Sequence, residues 1–222
     1  MNVTVYGDSI LKGVLLEDGR YVVNRHWEQR LAERFGLAIR NRSRFGCTVE
    51  KALEVIRFDC RREAAPGEVA VLELGGNDCD YDWARISEDP GRAYECKTPR
   101  EEFLRLYREA IGCLRDSGRR PVVLNLPPIH SERYLGFLCR NGLSRENILR
   151  WLGDVEAISR WQAGYSALTE RTARETGTPL IDLRGAFPAG GEALAALLCP
   201  DGIHPSREGQ GRIYQRLCEA MG

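Results

Sequence analysis

The chain has no surplus of either charge, since 32 lysine and arginine residues balance 32 aspartate and glutamate residues. That balance excludes the basic field that would hold nucleic acid and the polybasic stretch that would draw the protein to an anionic membrane. No apolar stretch approaches the length of a membrane span. Met1 leads straight into an apolar strand, with no charged segment and apolar core of a secretory signal, so a cytoplasmic protein is expected. Eight cysteines are present, yet none forms a C-x-x-C pair, which argues against a zinc site or redox dithiol and for free thiols. Asp78, Asp80 and Asp82 alternate like cation ligands, but the glycine and terminal glutamate of a calcium-binding loop are missing. Neither a metal nor a cofactor is expected. Repeats, low-complexity tracts and linkers are absent too, so residues 1–222 are read as one domain, with 43% hydrophobic content to fill its core.

What is present is an alternation of strands and helices. Apolar runs bounded by turn signals occur at Val3–Tyr6, Leu37–Arg40, Val69–Leu74, Pro121–Leu126 and Pro179–Leu183. Apolar residues recurring every three or four positions predict helices over His26–Phe35, Val49–Arg62, Pro99–Asp116, Arg145–Glu175 and Arg207–Ala220. This rhythm predicts an α/β fold, a three-layer α/β/α sandwich around a mostly parallel, flavodoxin-like sheet of about five strands. Such sheets bind ligands at the carboxyl ends of their strands. The polar segment 78–98, with Tyr81, Trp83 and Tyr94, follows one strand end and is expected to wall a pocket there. The proline-rich stretch Asn125–Tyr134 follows another and is a second candidate wall.

Three short stretches carry the chemistry: Gly7-Asp8-Ser9, Gly75-Gly76-Asn77-Asp78 and Asp201-Gly202-Ile203-His204-Pro205. Gly7 permits a sharp turn that leaves the Ser9 hydroxyl beyond its strand end. A serine hydroxyl is a poor nucleophile at neutral pH and needs an imidazole to take its proton, and His204 is the natural candidate. Asp201, three residues earlier, can reach the other ring nitrogen, fix the tautomer and stabilise the imidazolium. His26 and His130 lack a carboxylate at that spacing and are read as packing residues. The Ser9 and Gly46 backbone amides and the Asn77 side chain are available to stabilise an oxyanion.

On these residues the chain resembles the SGNH, or GDSL, hydrolase superfamily. Ser9 matches its first block, Gly46 in Arg44-Phe45-Gly46-Cys47 its second, Asn77 its third, and Asp201 with His204 its fifth. The resemblance implies a serine esterase, lipase, thioesterase or carbohydrate deacetylase, with Ser9, Asp201 and His204 catalytic and Ser9, Gly46 and Asn77 lining the oxyanion hole. The Gly-x-Ser-x-Gly elbow of ordinary α/β-hydrolases does not occur.

The expected activity is hydrolysis of a small ester through an acyl-Ser9 intermediate, with deacetylation of a carbohydrate or small metabolite as the first reading. A thioesterase or lysophospholipase on the same triad, an acyltransferase, and a catalytically silent binding module are the alternatives. The expected partner is a small-molecule ester, with no nucleic acid and no membrane; oligomeric state is left open. Asp78, Tyr81, Trp83 and Tyr134 are candidate substrate-binding residues. Trp151 and Trp161 are read as core, Asp8 as an acceptor of loop amides, and Glu73, inside an apolar strand, as a buried carboxyl paired for structural reasons.

Overall fold

The computed structural model describes residues 1–140 and 142–222. Its strands are β1 (Asn2–Gly7), β2 (Val14–Glu17), β3 (Arg20–Val23), β4 (Ala38–Asn41), β5 (Val69–Glu73), β6 (Arg120–Leu124) and β7 (Leu180–Ile181). Its α-helices are α1 (His26–Phe35), α2 (Val49–Asp59), α3 (Trp83–Glu88), α4 (Arg100–Asp116), α5 (Ser131–Cys139), α6 (Arg145–Leu152), α7 (Ala157–Glu175), α8 (Gly191–Ala196) and α9 (Arg207–Met221). Five strands form one sheet in the order β4-β1-β5-β6-β7, and every pairing in it is parallel. The order reverses at β1, so the crevice between β1 and β5 is the switch point at which such sheets place their ligands.

Alternate residues of the strands feed two cores, one on each face of the sheet. Val3 and Val5 of β1 and Leu124 of β6 pack with Trp27 and Leu31 of α1 and with Ile213 and Leu217 of α9. Tyr6, Leu72 and Val123 point the other way, toward Leu53 and Ile56 of α2, Phe103 and Tyr107 of α4 and Tyr165 of α7. Strands buried on both faces read as nearly continuous apolar runs, which is why they are visible in the sequence.

The short helices α3, α5 and α8 were not anticipated, and two further features depart from expectation. The helix expected over Arg145–Glu175 is two helices, because Gly153, at φ 81°, closes α6 with its N–H on the Leu149 carbonyl. The antiparallel hairpin of β2 and β3 was not anticipated. Asp18 and Gly19 at its tip both have positive φ, 49° and 74°, and Glu17 pairs with Arg20. That is the mirror-image turn whose twist suits a two-residue hairpin, and Asp-Gly is its sequence mark.

Candidate active site

Ser9 follows β1, Gly46 follows β4 and Asn77 follows β5, so three of the residues singled out lie at the same edge of the sheet. Glycine lets the backbone pass closely at position 7: a Cβ there would lie 3.1 Å from the Leu11 Cβ, 3.1 Å from the Ser43 Oγ and 3.3 Å from the Glu73 carbonyl, so its neighbours would have to give way. The turn after it is fixed by its own polar groups. The Asp8 carboxylate accepts the Ile10 N–H at 2.8 Å, and the Ser9 carbonyl accepts the Val14 N–H at 2.9 Å.

Asp201 and His204 sit on the loop before α9. An isolated bridge between Leu198 and Pro205 closes that loop, the Cys199 N–H donates to the His204 carbonyl at 2.7 Å, and the Gly202 N–H donates to the Cys199 carbonyl at 2.9 Å. One Asp201 oxygen accepts the Ile203 and His204 backbone N–H groups at 3.1 and 3.0 Å. The other accepts the His204 Nδ1–H at 2.7 Å. Burial by itself would raise the Asp201 carboxyl, but the hydrogen bonds from His204 and Ile203 outweigh it and hold the group below the usual range. An ionised Asp201 keeps the proton on Nδ1, which leaves Nε2 free to accept. The Ser9 hydroxyl lies 2.9 Å from that nitrogen. Exposure is 0% for Asp201, 2% for His204 and 8% for Ser9, so the line of three is shielded from bulk water.

The hairpin lies against this loop. The Leu16 N–H donates to the Cys199 Sγ at 3.3 Å, and Glu17 takes a two-pronged ion pair from Arg207 at 2.7 and 2.9 Å. Tyr21 of β3 is thereby set edge-on to the His204 ring at 5.3 Å, while Phe45 stacks on it at 5.9 Å and 21°. Tyr21 and Phe45 nevertheless remain exposed, at 44% and 56%. Neither was anticipated; Phe45 abuts the matched Gly46, but nothing local in the sequence says that Tyr21 reaches His204.

A cavity of about 110 Å³ opens beside Ser9, Asn77 and His204. Tyr81, Trp83 and Tyr134 line it, as do Leu126, Pro127 and Ile129 from the proline-rich stretch. Trp161 and Ile158 of α7 complete the wall, so Trp161 serves both the core and the cavity. The polar atoms of this wall are bonded to one another. Trp83 Nε1–H and the Tyr134 hydroxyl both donate to Asp80, at 2.8 and 2.9 Å, and Trp161 Nε1–H donates to the Cys79 carbonyl at 2.9 Å. This side of the cavity is therefore mostly apolar, while Asp8, Glu73 and Asn77 put polar groups at the end beside Ser9. Asp78 is not among the lining residues: it is fully buried, accepts the Val49 N–H at 3.0 and 3.1 Å at the start of α2, and accepts the Thr98 hydroxyl at 2.7 Å. Its place as a substrate contact is therefore corrected to that of a buried tie between α2 and the segment leading into α4.

Among the described residues, neither the Ser9 nor the Gly46 backbone N–H donates to a protein acceptor. One Asn77 Nδ2–H donates to Asp8 at 3.1 Å, which leaves the second free. Also among the described residues, no three His, Cys, Asp or Glu side chains converge to hold a metal, and no helix is long and apolar enough to cross a membrane. Asp80 is tied to Lys97 at 2.7 Å, and Asp82 caps α3. A hydroxyl, imidazole and carboxylate in line, beside unspent N–H donors and a small apolar cavity, can carry out acyl transfer.

A model of the GDSL-like lipase/acylhydrolase family matches residues 5–212. No curated protein matches the sequence closely enough to count as a relative. Among solved structures, a lipolytic G-D-S-L family protein from Veillonella parvula aligns with TM-score 0.64 and 15% identity, over 98% of this chain and 96% of that one. The lipase/acylhydrolase of Enterococcus faecalis aligns with TM-score 0.63 and 17% identity, over 99% and 94%. Axe2, an acetylxylan esterase from Geobacillus stearothermophilus, aligns with TM-score 0.64 and 16% identity, over 100% and 94%. At such identities these likenesses speak for the fold.

Proposed function

The chain belongs to the GDSL-like lipase/acylhydrolase family, and we propose that within it the protein is a cofactor-free serine hydrolase that removes short acyl groups from a carbohydrate or other small metabolite. The observation that carries this reading is the unbroken line from Ser9 Oγ through His204 to Asp201, at 2.9 and 2.7 Å, on the wall of a small cavity. In the proposed reaction the Ser9 oxygen bonds to the ester carbon as its proton passes to His204 Nε2. The tetrahedral oxyanion is held by the Ser9 and Gly46 N–H groups and by Asn77 Nδ2–H. Its collapse breaks the bond to the alcohol, which leaves with the proton from His204. Water then gives a proton to His204, attacks the acyl-Ser9 carbonyl and releases the acid, restoring the Ser9 hydroxyl.

The cavity supports a short acyl group. An enclosed apolar cavity of about 150 Å³ suffices for benzene, and about 110 Å³ is smaller than that. Its mostly apolar outer wall, in which Trp83, Tyr134 and Trp161 spend their polar hydrogens within the protein, suits a hydrocarbon tail rather than a polyol, so the sugar or metabolite would remain outside, toward Tyr21 and Phe45. Residues 1–222 are read as one domain whose 78–98 segment walls this cavity, and the eight free cysteines suit a reducing compartment.

A panel of esters graded from acetyl to long-chain, run beside acetylated sugars and acyl thioesters, tests the proposal. Highest kcat/KM for acetyl to butanoyl oxygen esters is expected; a long-chain or thioester optimum would replace the reading.

A further inference from the structure

Glu73 is the last residue of β5 and pairs in register with Gly7 of β1, so it lies beside the Asp8 turn. It is fully buried, and among the described residues neither of its carboxyl oxygens accepts a hydrogen bond of normal geometry, the Asp8 backbone N–H being the one amide turned toward it. Asp8 has a different environment. One of its oxygens accepts the Ile10 N–H at 2.8 Å and the other accepts Asn77 Nδ2–H at 3.1 Å. Two adjacent buried carboxyls cannot both carry charge, and the one with two N–H donors is the one that keeps it. The proton therefore stays on Glu73, whose O–H needs an acceptor, and Asp8 has lone pairs left to accept it.

We propose that Glu73 is a positioning residue: as a neutral hydrogen-bond donor to Asp8 it keeps that carboxylate an acceptor, and Asp8 in turn locks the Asn77 amide. The lock works because an amide has two chemically different ends. Only the NH₂ end can face an ionised Asp8, which directs the second N–H toward the substrate oxygen. A protonated Asp8 could instead donate to the Asn77 carbonyl, and a flipped amide would turn its oxygen on the oxyanion. Glu73, Asp8 and Asn77 all line the cavity beside Ser9, and among the described residues no lysine or arginine lines it to neutralise the pair. Among the described residues, the other ionisable groups near the pair are Tyr107 of α4 beside Glu73, and Cys47, Asp78 and His204 beside Asp8. Burial raises both carboxyls: Glu73, which also faces the Asp8 charge, is pushed well above the usual carboxylate range, whereas the rise of Asp8 is opposed by Ile10, His204, Glu73 and Asn77.

The inference rests on Asn77 being an oxyanion donor, and one set of variants separates the two. Glu73→Leu is expected to lower kcat on a short-chain ester by roughly ten- to a hundredfold, less than or equal to the loss of a whole oxyanion donor, with KM within about twofold of wild type. Glu73→Gln, which is neutral and can still donate, is expected to retain most of kcat. Glu73→Leu combined with Asn77→Ala is expected to be no slower than Asn77→Ala alone, because both act through one amide. Infrared spectroscopy of the unliganded wild type is expected to show the C=O stretch of a protonated carboxyl that Glu73→Gln lacks, a reading that does not depend on how the Leu variant folds. Wild-type kcat in Glu73→Leu, no rescue by Gln, additive losses in the double variant, or no such infrared band would each overturn the inference. Asn77→Ala at wild-type rate would remove the oxyanion reading and this inference with it; a slow Asn77→Ala beside a normal Glu73→Leu removes this inference alone.

Discussion

The His130 backbone N–H donates to the Gly202 carbonyl at 2.8 Å, which ties the loop carrying Asp201 and His204 to the start of α5. The contact is close because Gly202 has no side chain. With φ at 75°, a Cβ there would lie 2.7 Å from both the Arg133 Cβ and the His130 carbonyl and 2.8 Å from the Tyr134 nitrogen. Gly202→Ala is expected to lose more than about 1 kcal/mol of stability and to lower kcat, since the loop must move and carry His204 with it. Thermal unfolding and ester hydrolysis read the two effects; a variant normal in both would mean that this loop tolerates displacement.

Asn77→Ala is expected to lower kcat by about 10²–10³, or about 2.7–4 kcal/mol, with little change in KM, because the amide meets charge that exists only in the tetrahedral state. Steady-state kinetics on an acetyl ester decide it. A rise in KM at constant kcat would make Asn77 a ground-state binding residue instead.

Ile158 is buried in the outer wall of the cavity. Ile158→Ala is expected to move the acyl-chain optimum upward, at a cost of about 2–5 kcal/mol in stability from the space it leaves. An unchanged chain-length profile would place the acyl group elsewhere.

Asp78 carries a stability signature of definite sign. Burial, countered in part by Thr98 and Val49, pushes its carboxyl up to about 6 from an ordinary value near 3.8. The folded protein therefore binds this proton more tightly than the unfolded chain does, and Asp78 subtracts stability as pH rises from about 4 to 6, by about 3 kcal/mol at most. Asp201, held low, acts in the opposite sense: its contribution is present above the unfolded value and lost as pH falls through the folded one. Asp201 is common to both proteins, so the comparison of Asp78→Asn with wild type isolates Asp78. Denaturant unfolding is expected to show the variant gaining on wild type between pH 4 and 7; a constant difference would contradict the assignment.

How much of this was legible in the sequence depends on how local each signal is. The strands of the sheet show as apolar runs, and α1, His26–Phe35, begins and ends where its periodicity predicts. Gly153 was readable as a helix stop but sits inside a run of matching periodicity, which hid the break between α6 and α7. The Asp18-Gly19 turn was a readable hairpin mark, although β2 and β3 flank it with only four residues each. In the site, Asp201 and His204 share one loop, and their spacing of three shows before folding. Tyr21 on His204, and Ile158 and Trp161 on the cavity, come from elements brought together only by packing. Asp78 misled because adjacency to Asn77 in sequence says nothing about direction: it turns inward to α2, while Tyr81 and Trp83 turn to the cavity.

If Ser9 is an activated nucleophile, a fluorophosphonate will label it covalently, and mass spectrometry will locate the adduct. A fluorophosphonate needs a serine oxygen made nucleophilic by its neighbours, not one that merely lines a pocket. A single adduct is expected on the peptide bearing Ser9, absent in Ser9→Ala and strongly slowed in His204→Ala. An adduct on another residue, or an esterase-active preparation in which Ser9 stays unmodified, would contradict it.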